Sequence, residues 1–181
     1  AVTVDDTGSA TNINTIANAT SGVVTGTVAT DSGSNLSTNL ANTDNNDVLA
    51  VAANDTIAAT LASTLAGKTG GVLTATVTGD TAANLASNLA NAGAADALTL
   101  TVTDAATDAA NLVTLNAKTN QTITVTAIAS AINGDTSELV DIYSTNLAQY
   151  TGLGNEAVTV DDTGSATNIN TIANATSGVV T

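Results

Sequence analysis

The 181-residue chain contains no cysteine, proline, histidine, methionine, tryptophan or phenylalanine. Without cysteine there are no disulfides and no thiolate metal sites. Without histidine or cysteine, a serine or threonine nucleophile has no ordinary base beside it. The only aromatic residues are Tyr143 and Tyr150. A compact core is usually filled with some bulky side chains. Here the 43% hydrophobic content is almost all Ala, Val, Leu and Ile. Such small aliphatics suit a thin core repeated along an axis. Positive charge is as scarce as aromatics: Lys68 and Lys118 face sixteen acids, for a net charge of −14. That balance excludes nucleic acid as a partner, since no basic patch can displace counterions from phosphates. It also argues against anionic membranes. No apolar run is long enough to cross a bilayer.

What the chain does have is repetition. Residues 1–25, AVTVDDTGSATNINTIANATSGVVT, recur unchanged as residues 157–181. The chain therefore reads as one long repeat, 1–156, and the start of the next identical repeat, 157–181, within a longer array. A shorter period lies inside the long one. Each short repeat opens with an alternating strand-like run, passes through a polar turn, and continues into a short helical run. The first helical aliphatics are Ile13, Leu36, Leu61, Leu85, Leu112, Leu139 and Ile169. Their spacings of 23, 25, 24, 27, 27 and 30 residues make six short repeats averaging about 26 within 156.

Alternation carries the strand expectations. LTATVT at 73–78, LTLTVT at 98–103 and ITVT at 123–126 place aliphatics on one face and threonines on the other. VTV at 2–4 and VTGTV at 24–28 are weaker copies, and LAVA at 49–52 replaces Thr with Ala. Pairs such as Leu36/Leu40, Leu61/Leu65 and Leu85/Leu89 share a helical face, as do Ile13/Ile16 and Leu112/Leu115 at the shorter spacing. Ser9, Asp31, Asp55, Asp80, Asp108 and Asp135 stand where helix N-caps belong. The lysines follow helical runs, where positive charge suits the dipole. Helices this short need neighbours to form. Stacked repeats supply them, which gives the expected fold: an α/β, right-handed β/α solenoid of about 26-residue coils, with a parallel sheet on one side and short helices on the other. The last repeat, 130–156, is the odd one. Its SELVDIYSTNLAQY reads as a longer helix with Tyr143 and Tyr150 on roughly one face.

TGLGNEAVTV, VDDTGSATNINTIANATSGVVT and VTDAATDAANLVTLNAKT resemble segments of the very large bacterial surface and secreted "β-strand repeat" proteins. That resemblance covers most of the chain. It implies an extracellular or cell-surface parent of adhesin-like or surface-layer-like character, and it carries over no functional residue.

The residues themselves yield no catalytic, cofactor-binding or metal site. The carboxylate pairs Asp5/Asp6, Asp161/Asp162 and Asp104/Asp108 could serve acid–base chemistry, but turns and helix caps explain them more simply. Calcium remains an open alternative, because acidic oxygens are abundant in the turns. No calcium-loop motif is present, and no residue set stands out as a ligand cage. Thr25/Thr27, Thr74/Thr76, Thr99/Thr101 and Thr124/Thr126 would form rows on an outer sheet face, which leaves ice binding as a lesser alternative to plain β-propensity. The expected role is not enzymatic. It is a structural module of a filament, sheath or surface layer, partnered by further copies of itself through end-to-end stacking. An adhesin stalk or a calcium-dependent adhesive module is the alternative.

Overall fold

The computed structural model describes residues 1–126 and 131–181. It is a mixed α/β structure whose named sheets are all parallel. The chain divides into two compact units. The first comprises Ala1–Thr78, Asn88–Thr99 and Lys118–Asn120, and the second Gly79–Ser87, Leu100–Ala117 and Gln121–Thr181.

In the first unit, strands alternate with helices: β1 (Val2–Gly8), α1 (Ala10–Ala19), β2 (Val24–Val28), α2 (Gly33–Asn39), β3 (Val48–Ile57), α3 (Ala59–Ala66), β4 (Leu73–Val77) and β5 (Ala97–Thr99). The five strands form one sheet in chain order, each paired in parallel with the next. In the second unit, α4 (Ala82–Asn88, all but its last residue) precedes β6 (Thr101–Val102), β7 (Ala106–Asp108), α5 (Ala109–Asn116), β8 (Ile123–Val125), β9 (Ala131–Gly134), α6 (Thr136–Val140), β10 (Tyr150–Thr151), β11 (Ala157–Val160) and α7 (Ala166–Ala175). Its strands form two three-stranded sheets, β6–β8–β10 and β7–β9–β11. The expected strands are present, but 98–103 is split at Leu100 into β5 and β6. Ser130, where the last repeat was expected to open, lies outside the described residues.

One rule governs how the helices pack. The first helical residue is small and buried: Ala10, Gly33, Ala59, Ala82, Ala109 and Thr136. Three residues later comes a fully buried side chain: Ile13, Leu36, Ala62, Leu85, Leu112 and Leu139. Crowding explains the small residue. A Cβ on Gly33 would lie 2.6 Å from an Ile57 methyl. This rule corrects the expected phase of the third repeat. Ala62, not Leu61, takes the core position, and Leu61 is only half-buried. Leu36→Ala should therefore cost about 2–5 kcal/mol and Leu61→Ala about 1 kcal/mol. Hydrogen exchange of the α2 and α3 amides would read the difference.

The helix caps also differ from expectation in part. Ser9 and Asp108 are N-caps and accept from Asn12 and Ala110 N–H. Asp135 is an N-cap whose own N–H donates to Glu138 Oε2. At α2 the cap is Ser32, and at α4 Thr81 Oγ1 accepts from Asn84 N–H. Asp31 and Asp80 sit one residue earlier, each accepting from the cap residue's N–H and from the amide of Asn35 or Asn84. These bonds hold both carboxyls below the usual aspartate range, the side-chain amide contributing most. At α3 the N-cap is Ala58, which has no side chain to cap with.

The expected long helix over SELVDIYSTNLAQY is not one helix. After α6 the chain widens into a π-helical turn, Asp141–Thr145, where Asn146 N–H reaches the Asp141 carbonyl at 2.8 Å and the Asn146 amide bonds Asp141 Oδ1 at 2.7 Å. A short 3-10 turn, Leu147–Gln149, follows, and Tyr150 belongs to β10. The two tyrosines therefore lie on different elements.

Candidate interaction site at the repeated segment

Several of the carboxylates are engaged with backbone N–H groups. β1 and β3 slip register on their partners, between Thr3 and Thr7 and between Ala52 and Thr56. Each slip carries an aspartate, Asp6 or Asp55, and Asp104 lies between β6 and β7 a further 49 residues on. Asp55 Oδ1 accepts from Gly33 N–H at 2.8 Å, the first residue of the preceding helix α2. Asp104 Oδ1 does the same for Ala82 of α4 at 3.0 Å. Asp162, the copy of Asp6, does it for Thr136 of α6 at 2.8 Å and also accepts from the Thr136 hydroxyl. Those two bonds hold the Asp162 carboxyl below its ordinary range. These aspartates thus cap the helix of the repeat before, not their own.

A second set is buried. Asp47 accepts from Val24 and Asp44 N–H, and Asp96 from Leu73 and Gly93 N–H. Both are 6% exposed. In the next repeat a buried threonine takes over: Thr69 donates to the Asp47 and Leu49 carbonyls, and Thr119 to those of Asp96 and Leu98. Glu156 and Thr176 form the corresponding pair in the second unit. Acid and threonine alternate, so the repeats come in unlike pairs, with Asp47 and Asp96 49 residues apart and Thr69 and Thr119 50 apart. The lysines, also 50 apart, follow the same pairing. Lys68 Nζ donates to the Leu40 carbonyl at 2.9 Å and Lys118 Nζ to the Ala90 carbonyl at 3.2 Å. Each therefore serves the preceding helical segment rather than its own.

Among the described residues no three acidic side chains come together in a way that could hold a metal ion. The threonine rows are interrupted. Thr25 and Thr27 face Val48 and Ala50 across the β2–β3 pair, and Thr74 faces Ala52 and Ala97.

The site that does emerge is the repeated segment itself. Its two copies are identical in sequence and buried on opposite sides. In residues 1–25, Ala10 and Ile13 are buried, while Val2, Ile16 and Thr20 are only half-buried. In residues 157–181 the order inverts: Val158, Ile172 and Thr176 are buried, and Ala166 and Ile169 are opened. Ala10 and Ile13 thus mark the face that meets the following repeat, and Val2 and Ile16 the face that meets the preceding one. The second copy is seated on residues 131–156. β11 pairs with β9 in the register Ala157↔Ala131 through Val160↔Gly134. Asp161 N–H donates to the Gly134 carbonyl at 3.0 Å, and the Asn133 amide bonds Asp161 Oδ2 at 3.1 Å.

Glu156 closes the repeat before the copy begins. Its carboxylate, 2% exposed, accepts from the Tyr143 hydroxyl and from Gly154 and Asn155 N–H. Tyr150 donates to the Leu112 carbonyl at 3.0 Å. Burial above all raises both tyrosine pKa values, with the nearby charge of Glu156 adding for Tyr143 and that of Asp141 for Tyr150. The folded second unit keeps both phenols protonated after an unfolded chain would ionise at 10.0. Stability should therefore hold below pH 10 and fall above it, by up to about 1.4 kcal/mol per pH unit for each tyrosine. Tyrosinate absorbance should appear together with loss of the second unit's circular dichroism, not before it.

The chain matches no family model, no curated protein and no solved structure.

Proposed function

We propose that the chain is a structural repeat module of an extracellular filament, sheath or surface layer. In this reading its strand–helix repeats stack as coils of a right-handed β/α solenoid, and the stacking passes without a break from one 156-residue period into the next. The observation that carries the reading is the seating of residues 157–181 on 131–156, by strand pairing, by the Asp162 cap on α6 and by burial of Ile172. Each period then offers the next the surface it has itself just covered. Open edges of a parallel sheet favour such continuation. The acidic surface keeps a long rod soluble, and the extracellular setting rests on the resemblance to bacterial β-strand repeat proteins.

Electron microscopy of chains carrying one, two and three periods tests this. Rods should lengthen by roughly 29 Å per period, six strand spacings of about 4.8 Å. Beads of irregular separation would remove the reading. The same grids prepared with calcium and with chelator would show whether calcium enters the rod.

A further inference from the structure

The outer face of the sheet in the first unit is unlike the rest of its surface. Alternation along β2 to β5 sends residues such as Leu49, Leu73 and Leu98 into the core. The residues between them point outward and meet in rows across the strands. Thr25 lies opposite Val48, and Thr27 opposite Ala50. Thr74 lies between Ala52 and Ala97, and Thr76 between Thr56 and Thr99. No row carries a charge, in a chain with sixteen acids. Asp55, the only acid within β2 to β5, gives its carboxylate to Gly33 N–H. Three of the five large hydrophobics exposed among the described residues lie on this face. Val48 is 48% exposed, and Val23 and Val72, just before β2 and β4, are 37% and 39% exposed. β2, β3 and β4 each have a neighbour on both sides, so this exposure belongs to a face and not to an edge. Among the described residues, the hydroxyls of Thr25, Thr27, Thr74, Thr76 and Thr99 bond to no other group. On the helices, by contrast, Thr15, Thr38 and Thr64 donate to the carbonyl four residues back.

We propose that this face is a lateral docking surface on which the same face of a second copy of the chain packs. An uncharged surface gives a charged partner nothing to pair with, so its occupant is itself uncharged. A second copy offers such a surface, matched in size and chemistry. Contact there also keeps like charges off the interface of two chains of net charge −14. A two-fold axis along the strands sets the valines at the strand starts against each other and the threonines at the strand ends likewise. The hydroxyls then bond across the interface or through bridging water. Sheets packed face to face stand about 10 Å apart. Four strands spaced by about 4.8 Å and about five residues long present roughly 320 Å² a side, or about 640 Å² for the pair. Stable interfaces bury about 1,200–2,000 Å². One face therefore gives a weak, reversible contact. In the stacked rod described above, the faces of successive periods act together, so pairing tightens with length.

The chain has no cysteine, so one introduced thiol is the only one. Thr74→Cys places it on the face, and Thr64→Cys places it on the outer side of α3 as a control. Both positions are exposed. The full chain carrying either thiol is treated with a short bis-maleimide at about 1 mM, the range of a weak contact. Thr74→Cys should cross-link into a covalent dimer at least about 10-fold faster than Thr64→Cys. Adding Val48→Glu should lower that rate to the control's, because it sets like charges into the contact. Val48 is half-exposed, so circular dichroism should not change, and Thr27→Glu at a second exposed position should act the same way. Equal rates for the two thiols overturn the proposal. So does a Thr74→Cys rate that survives both glutamates in folded protein. A parent chain that slows ice growth while Thr74→Cys stays uncross-linked would assign the face to ordered water instead. The cross-link is independent of end-to-end stacking: it stands where longer chains form no rods, and its loss leaves the rods untouched.

Discussion

Replacing Glu156 with alanine is expected to destabilise the second unit by about 3 kcal/mol. The side chain is nearly inaccessible, yet no lysine bonds to it. Its stabilisation comes from three donors, the Tyr143 hydroxyl and the Gly154 and Asn155 N–H groups. Hydrogen bonds to a charged acceptor contribute about 1.5–3 kcal/mol, and a buried donor left without its acceptor costs about 1–3 kcal/mol. Alanine leaves the buried phenol stranded, whereas water can reach part of the Gly154–Asn155 turn, so the total stays well below the sum of three full penalties. Tyr143→Phe alone should cost about 1.5 kcal/mol. Combined with Glu156→Ala it should add almost nothing, because the phenol has no partner left to lose. Urea unfolding followed by tyrosine fluorescence measures this cleanly. Both tyrosines lie in the second unit, so the signal ignores the first, and a single two-state fit to the whole chain is avoided. Additive costs in the double variant would show that the phenol and the carboxylate act independently.

Gly152→Ala should be at least as damaging, about 3 kcal/mol or more. Gly152 has φ +92, and a Cβ there would lie 2.0 Å from the Val125 carbonyl oxygen. That oxygen belongs to β8, the strand on which β10 pairs. The substitution therefore strains the backbone and pushes β10 off its sheet together. Gly93→Ala is the control. Nothing lies within 4 Å of its Cβ position, and the change should stay within about 0.5 kcal/mol. Equal losses at the two glycines would mean that neither the positive φ nor the close approach to β8 sets the cost.

The parallel strands and short helices were legible because alternation such as LTATVT and pairs such as Leu85/Leu89 state a packing face directly. Leu61 was misread for a reason that periodicity cannot express. Any aliphatic fits a helical pattern, but only a small residue fits where a helix start runs against its neighbour, and Ala59 fixes the phase that buries Ala62. Asp108 and Asp135 are the caps they were taken for, but Asp31 and Asp80 stand one residue before the caps Ser32 and Thr81, and Asp55 and Asp104 cap the preceding helix. That role depends on strand register, which a linear reading does not contain. The pairing of unlike repeats was visible in the 49-residue spacing of Asp47 and Asp96 and the 50-residue spacing of Lys68 and Lys118, but was averaged away by a single 26-residue period. The Glu156–Tyr143 pair left no local signal, because its partners lie thirteen residues apart across a turn. Continuation of the helix to Tyr150 was a propensity expectation that the Asp141–Asn146 bonds override.

The order of β1 to β5 has a kinetic consequence. Each strand pairs with one whose partner residue is only 20 to 23 positions away, as in Val2↔Val24, Thr7↔Thr27, Thr25↔Val48, Val51↔Leu73 and Thr74↔Ala97. The entropy of closing a loop grows with its length, and here that length stays the same however many strands are added. The conformational search for each new strand is a local one, so enlarging the sheet does not slow its folding in the way that distant strand pairings do. During synthesis, each repeat can find its place on the one before it as soon as it leaves the ribosome.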